Sequence, residues 1–413
     1  MENRPLHRRS IALRAGVAVM VSMALVASTA CTAPTSRDRG DTASSPSAPP
    51  LAGAPQVDLV APGRLESAAY LNRISAVEIA RAVTAAGRMA PAVTPRYDVD
   101  NHRLTYRTID GRGRPITASG LVSVPVKAAG ARSPVMGYQH GTLLKDAQAP
   151  SNHAVASEAA VVMASVGYIV VAADYVGYGA SIGATHPYLV AAPSAAAVLD
   201  LLTAARDWRR AEDIADNGQL FLTGYSEGGY VSLAVHRAMQ ATDSPHLPHL
   251  VATVAGAGPY HVGVTMTAQL RKVREKHPVI GALFHPALLE LMGTSLRREA
   301  RRLLVRNLVP RQADVRLQTL FIDHHFERDD AALDRSSNVH DWKPEAPVSL
   351  FHGHDDQTVP HASAVRTLEA MRARGATHVS LTNCSATPSS HRNCVAPYWD
   401  FMLGQLAGQA RDR

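Results

Sequence analysis

Beyond residue 130 the chain alternates short apolar runs with longer amphipathic stretches, and this alternation restricts the fold more than any other feature. The runs expected as strands are Val135–Gln139, Tyr168–Ala173, Leu220–Thr223, Val251–Ala255, Val348–His352 and His378–Thr382. Helical spacing covers about 154–166, 193–212, 227–240 and 396–407. Apolar strands separated by helices are buried on both faces, which predicts an α/β fold with a mostly parallel sheet between two helical layers. Chemistry in such sheets sits beyond the carboxyl ends of the strands. The reactive candidates below all lie after strands.

Two regions depart from this rhythm. Upstream, apolar spacing at Leu71, Ile74, Val77, Ile79 and Ala80 predicts a helix from about Glu66. "LTYRTIDGRGRPITASGLVSVPV" then reads as two strands about an Asp110-Gly111 turn. From 262 to 347 there is helical spacing but no convincing strand, as in an inserted helical cap. In "SLRREARRLLVRNL" Leu296, Ala300, Leu303, Leu304 and Leu308 share one face and arginines the other. The arginine face is expected to be solvated, with contact to anionic lipid or substrate as the alternative.

Residues 1–30 have the form of an export signal: a basic stretch to Arg14, an apolar run Ala15–Ala27, and the small residues Ser28, Thr29 and Ala30. An ordinary membrane span needs about 20 apolar residues, so this run is too short. Cys31 follows where a lipoprotein signal places its acylated cysteine, although Ser28 stands where such signals usually carry Leu. Lipidation at Cys31 is the favoured expectation, and cleavage after Ala30 without lipid is the alternative. Residues 31–60, rich in Pro, Ser, Thr and Ala, read as a flexible tether, leaving 61–413 as the catalytic domain. Export permits the other two cysteines, Cys384 and Cys394, to pair. Of the formal charge of +7, residues 1–30 supply four arginines and one glutamate. The remainder is only mildly basic, without basic runs interleaved with aromatics, and nucleic-acid binding is a poor reading.

The chemistry starts at "FLTGYSEGGYVS". An apolar run, Leu220–Thr223, leads into Gly224-Tyr225-Ser226-Glu227-Gly228, and a helical stretch follows. A serine on a strained strand-to-helix turn is a nucleophile elbow, and Gly224 and Gly228 remove side chains that would collide there. Such a serine needs a base, an orienting acid and donors for an oxyanion. "VSLFHGHDDQTVP" offers Asp355 and Asp356, and the spacing Gly-x-x-Asp-x-x-Val favours Asp356. Asp355 fits better as a cap for the helix starting near His361. After the last strand, His391 lies in a loop between Cys384 and Cys394, while His378 is expected to pack within its strand. His391 is therefore the expected base. Backbone N–H groups of Glu227 and Thr142 are the expected oxyanion donors, with Gly141 letting the backbone approach the substrate.

These pieces, with Tyr138-Gln139-His140-Gly141-Thr142, "DYVGYGAS" at 174–181 and "HPYL" at 186–189, resemble the exported lipases and esterases of the α/β-hydrolase fold, particularly bacterial and fungal secretory lipases. The likeness runs in family order over about residues 117–405. It implies Ser226, Asp356 and His391 as the triad, Thr142 and Glu227 as oxyanion donors, and Asp174 as the buried acid that steadies the oxyanion loop. Glu227 departs from the Gln or small residue common at its position, since a negative charge there would repel a developing oxyanion unless it points away.

The expected activity is hydrolysis of a small-molecule or lipid carboxylic ester by an exported lipase or carboxylesterase, secreted or held at the outer face of the cell membrane through Cys31. No cofactor is needed. His324-His325-Phe326-Glu327 and the His352/His354 group beside Asp355/Asp356 look like metal ligands on paper, but adjacent histidines cannot share one helix face. An exported aminopeptidase of the same fold is the alternative, favoured if carboxylates in the cap could hold a free amine. A catalytically inactive binding protein of this fold is the third reading.

Overall fold

The computed structural model describes residues 61–87, 90–276, 288, 293–308 and 312–413. The expected export signal, the tether and Cys31 lie outside the described residues.

A nine-stranded sheet organises the domain. Its strands, in chain order, are β1 (Leu65–Ile74), β2 (Val99–Ile109), β3 (Pro115–Pro125), β4 (Ser133–Gln139), β5 (Ile169–Ala173), β7 (Asp216–Tyr225), β8 (Leu250–Gly256), β10 (Val348–His352) and β11 (Val379–Asn383). Two short strands, β6 (Thr185–His186) and β9 (Arg316–Leu317), pair only with each other. The spatial order is β1-β2-β3-β5-β4-β7-β8-β10-β11. The first four strands in this order pair antiparallel, and from β5 onward every pairing is parallel. This is the α/β-hydrolase architecture.

Successive residues on a strand face opposite sides, and here both sides are apolar. Leu220 and Leu222 enter one buried cluster, with helices α3 (Ala191–Ala211) and α4 (Glu227–Ala241). Phe221 between them enters the other, with α1 (Ala76–Ala86), α2 (Ala159–Ser165) and the C-terminal helix Val395–Ala407. Burying each such side chain contributes about 1.5–3 kcal/mol, which fixes β7 at the centre of the sheet. The strand that presents Ser226 is thus held from both faces.

The expected helix from Glu66 is corrected. Residues 65–74 form edge strand β1, hydrogen-bonded to β2, and the helix begins only after Ser75. Ser75 Oγ accepts the Glu78 amide while Glu78 reaches back to the Ser75 amide, a capping box that sets the boundary.

The described part of 262–347 is helical at α5 (Val262–Lys276), α6 (Thr294–Leu308), α7 (Leu320–Phe326) and α8 (Asp330–Ser336). Strand β9 corrects the expectation that this segment lacks strands. Ala300 and Leu304 of α6 are buried as expected, while the side chains of Leu296, Leu303 and Leu308 lie outside what the structure describes. The arginine face is not simply solvated: Arg301 pairs with Asp323 and Arg297 with Glu327, tying α6 to α7. Two further helices, α9 (Ala362–Ala373) and α10 (Val395–Ala407), complete the described domain.

Candidate active site

Ser226 joins β7 directly to α4 in a left-handed backbone conformation, φ 60° and ψ −124°. A non-glycine residue there costs about 1–3 kcal/mol and persists only where the surroundings enforce it. They do so here. The Ser226 amide donates to Gly256 O at 2.8 Å, and the Gly224 amide donates to the Tyr398 hydroxyl at 2.9 Å. A side chain at Gly224 or Gly228 would collide with the Gln139 carbonyl of the adjacent strand β4.

Tyr398 was not legible as part of the site. Its hydroxyl donates to Val254 O at 2.8 Å, so it accepts from Gly224 and from Thr223 Oγ1, the latter at 2.6 Å. One buried phenol from α10 thereby fastens β7 to β8 just below the elbow.

Three side chains from three loops meet at the carboxyl ends of β7, β10 and β11. His391 Nε2 lies 2.9 Å from Ser226 Oγ, and His391 Nδ1 lies 2.6 Å from Asp356 Oδ2. The other carboxylate oxygen of Asp356 accepts the Thr358 and Val359 amides at 2.8 and 2.9 Å. Burial alone would raise this carboxyl. Hydrogen bonds from His352 and His391 outweigh it and hold Asp356 well below the usual carboxylate range. An ionised Asp356 favours the His391 tautomer with its proton on Nδ1, which leaves Nε2 facing Ser226 Oγ as an acceptor. The Tyr225 hydroxyl donates to His391 O at 2.8 Å, connecting elbow and histidine loop.

Asp355 has another task than the expected helix cap. It accepts from the Ser389 amide and hydroxyl at 2.8 and 3.0 Å, anchoring the loop that carries His391. That loop is closed by a disulfide between Cys384 and Cys394. His378 is exposed ahead of β11, not packed within it. His352 faces Asp356 and the His354 ring lies tilted against His361, 4.1 Å between centroids, whereas His324 and His325 lie on α7 in the cap.

Gly141 and Thr142 follow β4 and line the cavity over Ser226. Neither the Thr142 amide nor the Glu227 amide has an acceptor among the described residues, as expected for the first residue of a helix in the case of Glu227. Asp174 is fully buried, but its carboxylate does not hold the 140–142 loop. It accepts from Ser119 Oγ at 2.6 Å and from the Ser151 amide and hydroxyl at 2.8 and 2.5 Å. Only its backbone carbonyl approaches that loop, 3.3 Å from His140 Nε2. The Glu227 side chain points away from the cavity into the protein, where it is buried against His186.

A cavity of about 610 Å³ opens over Ser226 and His391. Leu144, Met266, Val305, Leu317, Phe321 and Ile322 form most of its apolar wall, and several of these belong to the cap. Among the described lining residues none is Asp, Glu, Lys or Arg.

The model of one protein family, X-Pro dipeptidyl-peptidase (S15 family), matches residues 121–393. The chain belongs to the S15 family. With that family it is a serine hydrolase of α/β fold. Solved structures agree on the fold. The rice cell wall degrading esterase LipA from Xanthomonas oryzae has a TM-score of 0.65 at 23% identity, covering 85% of this chain and 100% of its own. A protein from Legionella pneumophila has a TM-score of 0.66 at 24% identity, covering 84% and 99%. No curated protein matches this S15 chain.

Proposed function

We propose that this chain hydrolyses carboxylic esters through an acyl-enzyme on Ser226. The observation that carries the reading is the cavity wall. An X-Pro dipeptidyl-peptidase must hold the charged amine of its substrate, and a buried ammonium without a counter-charge is strongly disfavoured. The described wall offers no carboxylate and presents an apolar surface suited to an acyl chain.

In this reading Ser226 Oγ attacks the acyl carbon as its proton passes to His391 Nε2, and Asp356 stabilises the resulting imidazolium. The amides of Thr142 and Glu227 donate to the oxyanion. Collapse expels the alcohol with the proton from His391, and a water deprotonated by His391 then releases the acid. The chain is taken to be exported, with Cys31 lipidated at the outer face of the membrane; the form of residues 1–31 supports both, and the Cys384–Cys394 bond supports export alone. Radiolabelled palmitate incorporated by wild type but not by Cys31→Ala is the expected result, and an unlabelled protein found in the medium would instead mean cleavage without lipid.

The deciding experiment sets p-nitrophenyl esters of graded acyl length beside Xaa-Pro-p-nitroanilides. Ester turnover with little anilide cleavage is expected, whereas preferred cleavage of the anilides would assign the family's peptidase activity. Failure of a fluorophosphonate to label Ser226 would favour the inactive binding protein.

A further inference from the structure

Behind the elbow lies a buried pair that the hydrolytic steps above do not use. His186 Nε2 is 2.7 Å from Glu227 Oε1, and both side chains are 1% exposed. His186 Nδ1 is 2.9 Å from Val176 O, which can only accept, so Nδ1 carries a proton. With Nδ1 already protonated, a hydrogen bond between Nε2 and Oε1 at 2.7 Å requires one further proton. The pair is neutral overall whether that proton sits on the imidazole or on the carboxyl.

Its position gives this neutrality a consequence. Glu227 follows Ser226 and opens α4, so its amide faces the site while its carboxyl is buried one side chain away. Among the described residues the carboxyl has no lysine or arginine partner: His186 meets it through Oε1, and Oε2 is buried with no hydrogen-bond partner. Among the described residues His186 is thus the compensating group for Glu227. The imidazole is itself fixed, stacked on Tyr175 and edge-on to Tyr178. Its backbone belongs to β6, which pairs with cap strand β9, and Gln318 N donates to His186 O at 2.8 Å. Leu317 and Thr319, beside that bond, line the cavity.

We propose that His186 and Glu227 are positioning residues for the oxyanion side of the site: sharing one proton, they hold the elbow amide against the cap strand without placing an uncompensated charge next to the developing oxyanion. This rests on the ester-hydrolase reading. It also explains how a glutamate is tolerated directly after the nucleophile.

The test is a cycle of kcat and KM on a short p-nitrophenyl ester, with folding checked by near-ultraviolet circular dichroism. His186→Phe keeps an aromatic ring but leaves Glu227 unpaired, and kcat is expected to fall about 10²-fold, as for a misplaced oxyanion donor. Replacing both residues by apolar groups removes the stranded carboxyl, so His186→Phe with Glu227→Met is expected to recover to within about tenfold of wild type. Glu227→Gln, whose amide can donate to a neutral imidazole, is expected to stay within about tenfold as well. KM should be unchanged throughout, because neither side chain lines the cavity. Losses that add across the double variant, or a His186→Phe enzyme with wild-type kcat, would overturn the assignment. If His186→Phe does not fold, Glu227→Gln against Glu227→Met carries the test: a lower kcat in Met at equal KM supports the pair, and equal kcat refutes it. Wild-type protein without ester turnover would instead sink the ester reading, a separate outcome.

Discussion

His352 Nε2 stands 3.3 Å from the Asp356 oxygen that faces His391 at 2.6 Å, so one carboxylate oxygen is gripped from two sides. Nε2 also lies 3.0 Å from Val359 O, which fixes the proton on that nitrogen. Hydrogen bonds to charged groups contribute about 1.5–3 kcal/mol, and a comparable loss in the transition state is about 10- to 100-fold in rate. His352→Phe is expected to lower kcat by that amount with KM unchanged, since the Thr358 and Val359 amides still hold Asp356. Steady-state kinetics on a short ester check it; an unaltered kcat would make His352 a packing residue only.

The two neighbouring carboxylates separate cleanly in this geometry. Asp356→Asn should lower kcat by about 10⁴, the scale seen when a triad acid loses its charge. Ser226→Ala should do at least as much. Asp355 touches Ser389 and not His391, so Asp355→Asn should cost far less. The opposite ranking of the two Asn variants would transfer the orienting role to Asp355.

The parallel half of the sheet was legible because its runs are bounded sharply: β10 is bracketed by Pro347 and Gly353, and the expected Val348–His352 is the strand observed. Strand β1 was not, because most of its residues are exposed and carry no alternating apolar signal. Only its pairing with β2 decides its conformation, and pairing is not local. Ser226, Asp356 and His391 could be picked out because each follows a strand toward the same edge. Tyr398, His352 and His186 could not, since what matters is which distant group each side chain meets. "HPYL" drew attention to His186 without indicating Glu227 as its partner.

Chain-length preference should follow the cavity wall and not the apolar face of α6 as a whole. Leu304 is buried in the core, whereas Val305 beside it lines the cavity. Val305→Phe should therefore lower kcat/KM for long acyl esters by about tenfold or more while sparing acetate, the scale of one methylene in an apolar pocket. Leu304→Ser is expected to destabilise the cap without selectivity. Equal effects of Val305→Phe on short and long esters would mean that the acyl chain lies elsewhere.

Acid should weaken the fold before it reaches the ordinary carboxylate range. Burial pushes His236 down to about 3 and His246 down to about 4, so both are neutral in the folded protein. Their contribution is complete above the unfolded value near 6.5 and is lost as pH falls toward the folded values, at most about 1.4 kcal/mol per pH unit for each. Burial raises Glu158 to about 7 and Asp200 to about 6, and these two act in the opposite sense over the same window. With His340 also pushed down to about 4, chiefly by burial, the histidines outweigh them. The melting temperature is expected to fall between pH 6.5 and 4.5, and more gently in His236→Gln. A midpoint that rises over this interval would show that the carboxyls dominate.

The last expectation joins redox state to catalysis. Cys384 follows β11, Cys394 precedes α10, and the ten-residue separation between them contains His391. Both cysteines are buried, and the Cys384 amide donates to His352 O at 2.8 Å, so one end of the bridge sits against the residue that grips Asp356. Chain entropy for a loop of about ten residues gives roughly 2.5–3 kcal/mol of stabilisation. The effect on His391 should be larger in rate, because a misplacement of about 1 Å can cost about 10²-fold. The loop has a second anchor in Ser389–Asp355, which limits but does not replace the bridge. Cys384→Ser is therefore expected to lower kcat more steeply than its loss of melting temperature suggests, and Cys384→Ser combined with Asp355→Asn more than either alone. Turnover and unfolding midpoint measured on oxidised and reduced protein in one buffer decide the matter: a lower midpoint with unchanged turnover would reduce the disulfide to a staple with no bearing on His391.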